Sequence, residues 1–172
     1  MILFNYKIRV KRSGLVGGGK MKLSTKGQYG VKAMFDLALH YGVEPTSLKN
    51  IAKRQEISEY YLEQLMAVLR RENLVKSVRG AQGGYVLMRD PSLITVGEIL
   101  NVLEGPFEIT ECITDDDNTG CSKVNYCATR LIWVKIKTAV NDVINSITLL
   151  DMVNDYNMLC EKNKQMIKKE VL

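Results

Sequence analysis

The sequence predicts a mainly α fold with a small β wing, that is, a winged helix-turn-helix domain followed by a long apolar-striped helix. Three observations carry this. SLKNIAKRQEIS reads as a short helix and tight turn, and EYYLEQLMAVLRRENLV as a longer helix. KSVRGAQGGYVLM reads as two short strands around a Gly-rich tip. Finally, Leu131, Ile132, Lys135, Ile136, Ala139, Val140, Val143 and Ile144 repeat at helical spacing far from that motif.

Residues 1–20 show no helical or strand period, and Gly17, Gly18 and Gly19 stand just before Lys20 and Met21. Three glycine codons there are what a translated purine-rich ribosome-binding site would give. The expectation is a non-native or disordered extension, with translation starting at Met21. The competing reading is a basic arm that tracks phosphates. Lys26 to Tyr41 reads as a helix with Val31, Met34, Phe35, Ala38 and Leu39 inward. His40 lies in its last turn, where the helix dipole favours an imidazolium.

Ser47 can cap the short helix, which turns Leu48, Ile51 and Ala52 to one face. Ser58 can cap the longer one, with Ile57 and Leu62 at the two staple positions. Leu62, Leu65, Met66 and Leu69 then face the core, and Tyr60, Tyr61, Glu63, Gln64, Arg70 and Arg71 lie off that stripe. Asp90 and Pro91 end the wing. Thr95 and Glu98 have capping-box spacing, so Val96–Glu104 is a helix, stopped by Gly105 and Pro106. Glu108 to Asn125 is an acidic loop without a clear period. Helix resumes from Thr129, and Thr148 can cap a further one over Leu149–Asn157, before a charged tail expected to fray. The expected organisation is an extension at 1–20, the winged domain at 21–104, a cysteine loop at 105–127, long helices at 128–160 and a flexible tail at 161–172.

At 172 residues, 46% of them hydrophobic, the chain can build one core with an appended element, and no apolar run reaches membrane-spanning length. Its formal charge of +5 misleads. Five of the 24 bases lie in residues 1–20, which hold no acid, so the other 19 match the chain's 19 acids. Any case for nucleic acid therefore rests on local placement of Arg54, Arg70, Arg71, Lys76 and Arg79. That placement suits double-stranded DNA. A helix N-terminus brings polar side chains to base edges, while cations and backbone amides at a glycine-rich tip contact phosphates. Arg71 on the helix, and Arg79, Gly80, Gln82 and Gly83 at the tip, enter the candidate set on this ground.

Four cysteines without a convincing signal peptide point to a reducing cytoplasm. Cys112, Cys121 and Cys127 are separated by eight and then five residues, and Cys160 stands apart. Three thiols in one loop leave one over from any disulfide, and soft thiolates suit iron–sulfur clusters or zinc. No Cys-x-x-Cys pair and no second histidine supports a zinc finger. Spacing alone leaves metal and three free thiols equally open. An enzyme is not expected, since the lone His40 is far from the thiols and no phosphate loop or acid/base pair is present.

The stretches MKLSTKGQYGVKAMFDLALHYG, ISEYYLEQLMAVLRRENLVKSVRGAQGGYVL and ITVGEILNVLEGP resemble the IscR-type family of bacterial transcription regulators, from Met21 to about Asn154. SVRG-x-x-GGY is the most specific part. The resemblance implies a homodimer joined along the long helix, with Ile132, Ile136, Val140 and Val143 in the seam. It implies base-facing roles for Tyr61, Glu63 and Gln64, with Arg79 at the minor groove or phosphates. It further implies an iron–sulfur cluster, 2Fe-2S or 4Fe-4S, on Cys112, Cys121 and Cys127, in a repressor that senses cluster or redox status. Two departures stand out. The first cysteine gap is longer than the usual five residues. The family's histidine ligand falls on Arg130, and the acid that some relatives use falls on Gln28. Glu108, Glu111, the Asp115–Asp117 run or a partner residue then remain as fourth ligands. The alternative is a cluster-free regulator whose cysteines act as redox thiols or zinc ligands.

Overall fold

The computed structural model describes residues 23–80, 82–113 and 121–170. The expectation for residues 1–20 lies outside them. The described residues form six helices and one hairpin: α1 (Thr25–Leu39), α2 (Leu48–Gln55), α3 (Glu59–Arg71), β1 (Val75–Val78), β2 (Gly84–Leu87), α4 (Val96–Glu104), α5 (Ala128–Ser146) and α6 (Leu149–Glu170). Short 3-10 turns sit at Pro91–Leu93, Glu111–Ile113 and Val124–Tyr126. The fold is mainly α with a small β wing.

Local chemistry sets most helix starts. Ser24 and Ser47 each accept a hydrogen bond from the backbone N–H three residues on, each at 3.3 Å. Thr95 accepts from Glu98 at 3.1 Å. Thr148 and Asp151 form a reciprocal box, in which the Thr148 hydroxyl accepts from the Asp151 N–H (3.1 Å) and the Asp151 carboxylate accepts from the Thr148 N–H (2.9 Å). Ser58 departs from the expectation: it stands at the N-cap of α3 but makes no side-chain cap bond. Glu56 takes the left-handed conformation (φ 55°) between α2 and α3, which makes the tight turn of the helix pair. α6 runs to Glu170, well past Asn157.

The core gathers Met34 of α1, Ile51 of α2, Leu62, Leu65, Met66 and Leu69 of α3, Ile99 of α4 and Leu149 of α6, all 2% exposed or less. α1 touches α2, α3, α4 and α6, so its buried surface is wider than one stripe. Ala33 and Leu37 are therefore buried with Met34 and Ala38, whereas Val31, Phe35 and Leu39 are only half-buried. The hairpin is antiparallel with Val75 opposite Leu87 and Val78 opposite Gly84. Val75 and Leu87 face the core.

One buried charge organises the helix pair. Asp36 of α1 is fully buried. Its carboxylate accepts from Arg54 Nε (2.9 Å), Arg54 Nη2 (2.6 Å) and Gln55 Nε2 (3.0 Å), all on α2. This two-pronged pair satisfies the carboxylate and fixes α1 against α2. The bonds to Asp36 raise the Arg54 guanidinium above its ordinary range. Arg54, expected among the DNA-facing cations, stays exposed at the surface but spends its guanidinium on Asp36.

Candidate nucleic-acid interface and cysteine loop

The outer face of α3 is polar. Glu63, Gln64, Ala67, Arg70 and Arg71 are exposed, and Tyr60 is 74% exposed. Tyr61 is different. Its ring is half-buried and meets Tyr29 of α1 edge-to-face, 5.8 Å between centroids at 82°, while Lys32 Nζ lies 5.8 Å from the Tyr29 ring. Of the three expected base-facing residues, Glu63 and Gln64 stand open, and the aromatic at the open surface is Tyr60. The signal was in the spacing: Tyr61 lies four residues before Leu65, so the two share a face. Arg71 is exposed and pairs with Glu72 at 3.2 Å, an exposed pair that leaves it free to exchange partners.

The wing presents Lys76, Arg79, Gly80 and Gln82 to solvent, and Gly83 half-buried. The Gly83 N–H donates to the Gly80 carbonyl at 3.0 Å, and Gly80 has φ +126°, so the tip turns tightly. The hairpin is tied back to the helix pair. Thr46 N–H donates to the Tyr85 carbonyl (3.0 Å) and Tyr85 N–H to the Thr46 carbonyl (2.8 Å), one residue before the cap of α2. The wing is thus held by backbone bonds to the segment that leads into α2.

The cysteine loop packs on α5. Cys112 is half-buried in the 3-10 turn Glu111–Ile113, with Sγ 3.2 Å from the Thr110 hydroxyl. Arg130 Nε donates to the Cys112 carbonyl and Lys137 Nζ to the Ile113 carbonyl, each at 3.2 Å. Two α5 cations therefore pin this turn. Cys121 is exposed. Cys127 is half-buried at the N-cap of α5, 3.0 Å from the Thr129 hydroxyl. That hydroxyl, then the Arg130 N–H, holds the Cys127 thiol below its usual range, which favours thiolate. Cys160 is half-buried far along α6.

The donor set suits a thiophilic group at Cys127. Among the described residues, however, no three His, Cys, Asp or Glu side chains come together to hold a metal ion. Arg130 is bonded to the Cys112 carbonyl, and Gln28 Nε2 donates to the Leu23 carbonyl (2.7 Å), so neither offers a ligand. Asp115–Asp117 lie outside the described residues. His40 Nδ1 bonds to the Asp36 carbonyl at 2.7 Å.

α5 carries its apolar face uncovered. Ile132 is 52% exposed and Val143 57%, with Leu131 and Ile136 also exposed and Val140 half-buried. A shallow groove of about 470 Å³ runs along Lys135, Ile136, Ala139, Val140, Val143 and Ile144. Near its C-terminal end α5 meets α4, where Gly97 lies against Ile144 and Asn145. Among the described residues no helix is long and apolar enough to cross a membrane.

The chain is similar to known proteins along most of its length. The Rrf2 family model, described as iron-dependent transcriptional regulator, matches residues 23–155. The HTH-type transcriptional regulator CymR of Bacillus subtilis is 47% identical over 134 residues, covering 78% of this chain and 91% of CymR. The HTH-type transcriptional regulator IscR of Yersinia pseudotuberculosis is 39% identical over 145 residues, covering 84% of this chain and 87% of IscR. The solved structure of T. potens IscR aligns with TM-score 0.66 at 51% identity, over 80% of this chain and 89% of that one. These relatives are transcriptional regulators, not enzymes. On the match across its winged domain and long helix, the chain belongs to the Rrf2 family of DNA-binding transcriptional regulators.

Proposed function

We propose that the chain is a cytoplasmic, homodimeric repressor that reads a specific DNA operator and changes its affinity with the chemistry of Cys112, Cys121 and Cys127. The observation that carries the DNA reading is the open polar face of α3 set beside the wing. Gln64 can pair with adenine, and Glu63 can accept from cytosine and exclude other bases. Arg79, Gly80, Gln82 and Gly83 supply contacts to phosphates or the minor groove. Tyr61 supports the site from behind, through Tyr29. Binding-site selection tests this. Gln64→Ala should relax preference at one base pair of each half-site, costing about 1–3 kcal/mol there. Unchanged selectivity would place base reading on another face.

Cys112, Cys121 and Cys127 are the residues that would hold an iron–sulfur cluster, which when bound supplies redox and ligand-exchange chemistry. The lowered thiol of Cys127 supports this, as do the α5 contacts that carry any movement of the Cys112 turn toward the dimer helix. An open fourth ligand would make the cluster labile, which suits sensing of cluster supply or oxidants. The second reading, a cluster-free thiol switch, is favoured by the commitment of Arg130 and Gln28 to backbone carbonyls. Anaerobic purification separates the two. Under the first reading, the wild type absorbs visible light, and Ala at any one of the three cysteines removes that absorbance and shifts operator affinity in one direction. Cys160→Ala should do neither. A colourless anaerobic wild type would establish the second.

A further inference from the structure

We propose that a cleft on the outer side of the winged domain binds a small zwitterion of the free α-amino acid class. The cleft, of about 220 Å³, lies between the end of α1, the loop at 40–46 and the hairpin. Its walls include Leu37, His40, Glu44, Lys76, Tyr85 and Val86. None of these is on α3 or in the cysteine loop, and only Lys76 also belongs to the wing cations named for DNA.

Three features of the walls define the ligand. First, the cleft has both charges. Glu44 offers a carboxylate on the loop, and Lys76 an ammonium on β1. A ligand with an ammonium and a carboxylate on neighbouring atoms matches that pair, whereas a simple dianion would be repelled by Glu44. Second, the His40 tautomer is decided. Nδ1 lies 2.7 Å from the Asp36 carbonyl, which can only accept, so Nδ1 carries the proton. In the neutral ring Nε2 is then an acceptor, and it can accept a hydrogen bond from a ligand ammonium. Third, Leu37 and Val86 give an apolar wall for a short side chain. The volume falls below the usual span for drug-sized ligands, roughly 300–1,000 Å³, so nucleotides and polycyclic molecules are excluded.

The cleft is also pre-formed. Val43 N–H donates to the His40 carbonyl at 3.2 Å, and the Thr46–Tyr85 backbone pair closes the far side. Binding therefore has little loop ordering to oppose it. Occupancy would tie the wing, through Lys76, to His40 and so to Asp36, the residue that anchors α2. The binding claim stands on the cleft alone. Its consequence for DNA rests on the DNA reading proposed above.

The test titrates the full-length, DNA-free protein with each of the proteinogenic L-amino acids, followed by thermal unfolding and by amide NMR. One or a few of them should raise Tm saturably and shift the amides of Gly42, Glu44, Lys76 and Val86. Glu44→Gln and Lys76→Gln, both at exposed positions, should fold as wild type and each weaken binding by roughly tenfold or more, since each removes a charged partner. The matching carboxylic acid without the amine should bind as weakly to wild type. Amides that stay put at millimolar concentrations of every amino acid would overturn the proposal. So would binding that both variants retain at full strength, because the ligand would then sit elsewhere. Operator binding is measured separately. A protein that takes up the amino acid but binds no DNA would remove the DNA reading and leave this site standing.

Discussion

Ile136→Asp should convert the protein to monomers and weaken operator binding roughly 10²- to 10⁴-fold, the range lost when two linked contacts become one. The 19 residues of α5 make a rod of about 28 Å at 1.5 Å per residue. Ile132, Ile136, Val140 and Val143 follow one another along it at spacings of four, four and three, which keeps them on one side. Most of α5 is not covered by the winged domain, which meets it chiefly through α4 near Gly97. A monomer would leave this side in water, a patch of the kind that marks an interface. A second copy laid along it would bury the same residues from both chains, as two-fold symmetry requires. Asp at position 136 would place two unpaired carboxylates in that seam, at several kcal/mol each. Ile136 is 37% exposed and lies outside the core, so the winged domain should keep its stability. Sedimentation velocity reads the outcome directly. A variant that remains dimeric would move the seam off this helix.

Much of this architecture was legible because it depends on residues close in sequence. The caps at Ser47, Thr95 and Thr148 act over three residues, and the stripe at Leu62, Leu65, Met66 and Leu69 over seven, so spacing suffices to find them. Asp36 was not legible. Its partner Arg54 is 18 residues away, and each charge taken alone reads as surface. The half-burial of Tyr61 had the same root, since the apolar stripe was clear but its edge depends on Tyr29 of another helix. Ser58 has a capping residue's identity without its bond. The cysteine loop was the least legible part. Its spacing shows thiols but not what α5 does to them, and the Thr129 contact that favours thiolate at Cys127 appears only once the helix start is known.

Gly84→Ala should detach the wing. At this position a Cβ would lie 2.4 Å from both the carbonyl carbon and the oxygen of Thr46, atoms of the backbone that cannot rotate away. The neighbouring residue, Tyr85, makes the two backbone bonds to Thr46 at 2.8 and 3.0 Å, so any shift that relieves the clash strains or breaks them. Overpacking costs about 1–3 kcal/mol and each of the two lost backbone bonds about 1 kcal/mol more, which puts the expected loss at about 3–5 kcal/mol. Operator affinity should fall by roughly tenfold or more as Arg79 and Gln82 leave register with α3, since two or more phosphate or groove contacts go with them. Gly80→Ala is the control. It carries φ +126°, so Ala there is strained, but nothing lies within 4 Å of its Cβ. That strain is confined to the tip, so it should leave the Thr46–Tyr85 pair intact. Hydrogen exchange separates the two: the amides of Thr46 and Tyr85 should lose protection in Gly84→Ala and keep it in Gly80→Ala. Equal protection in both variants would mean that the wing is held by the Val75 and Leu87 side chains in the core, and that its backbone tie to the recognition unit is incidental.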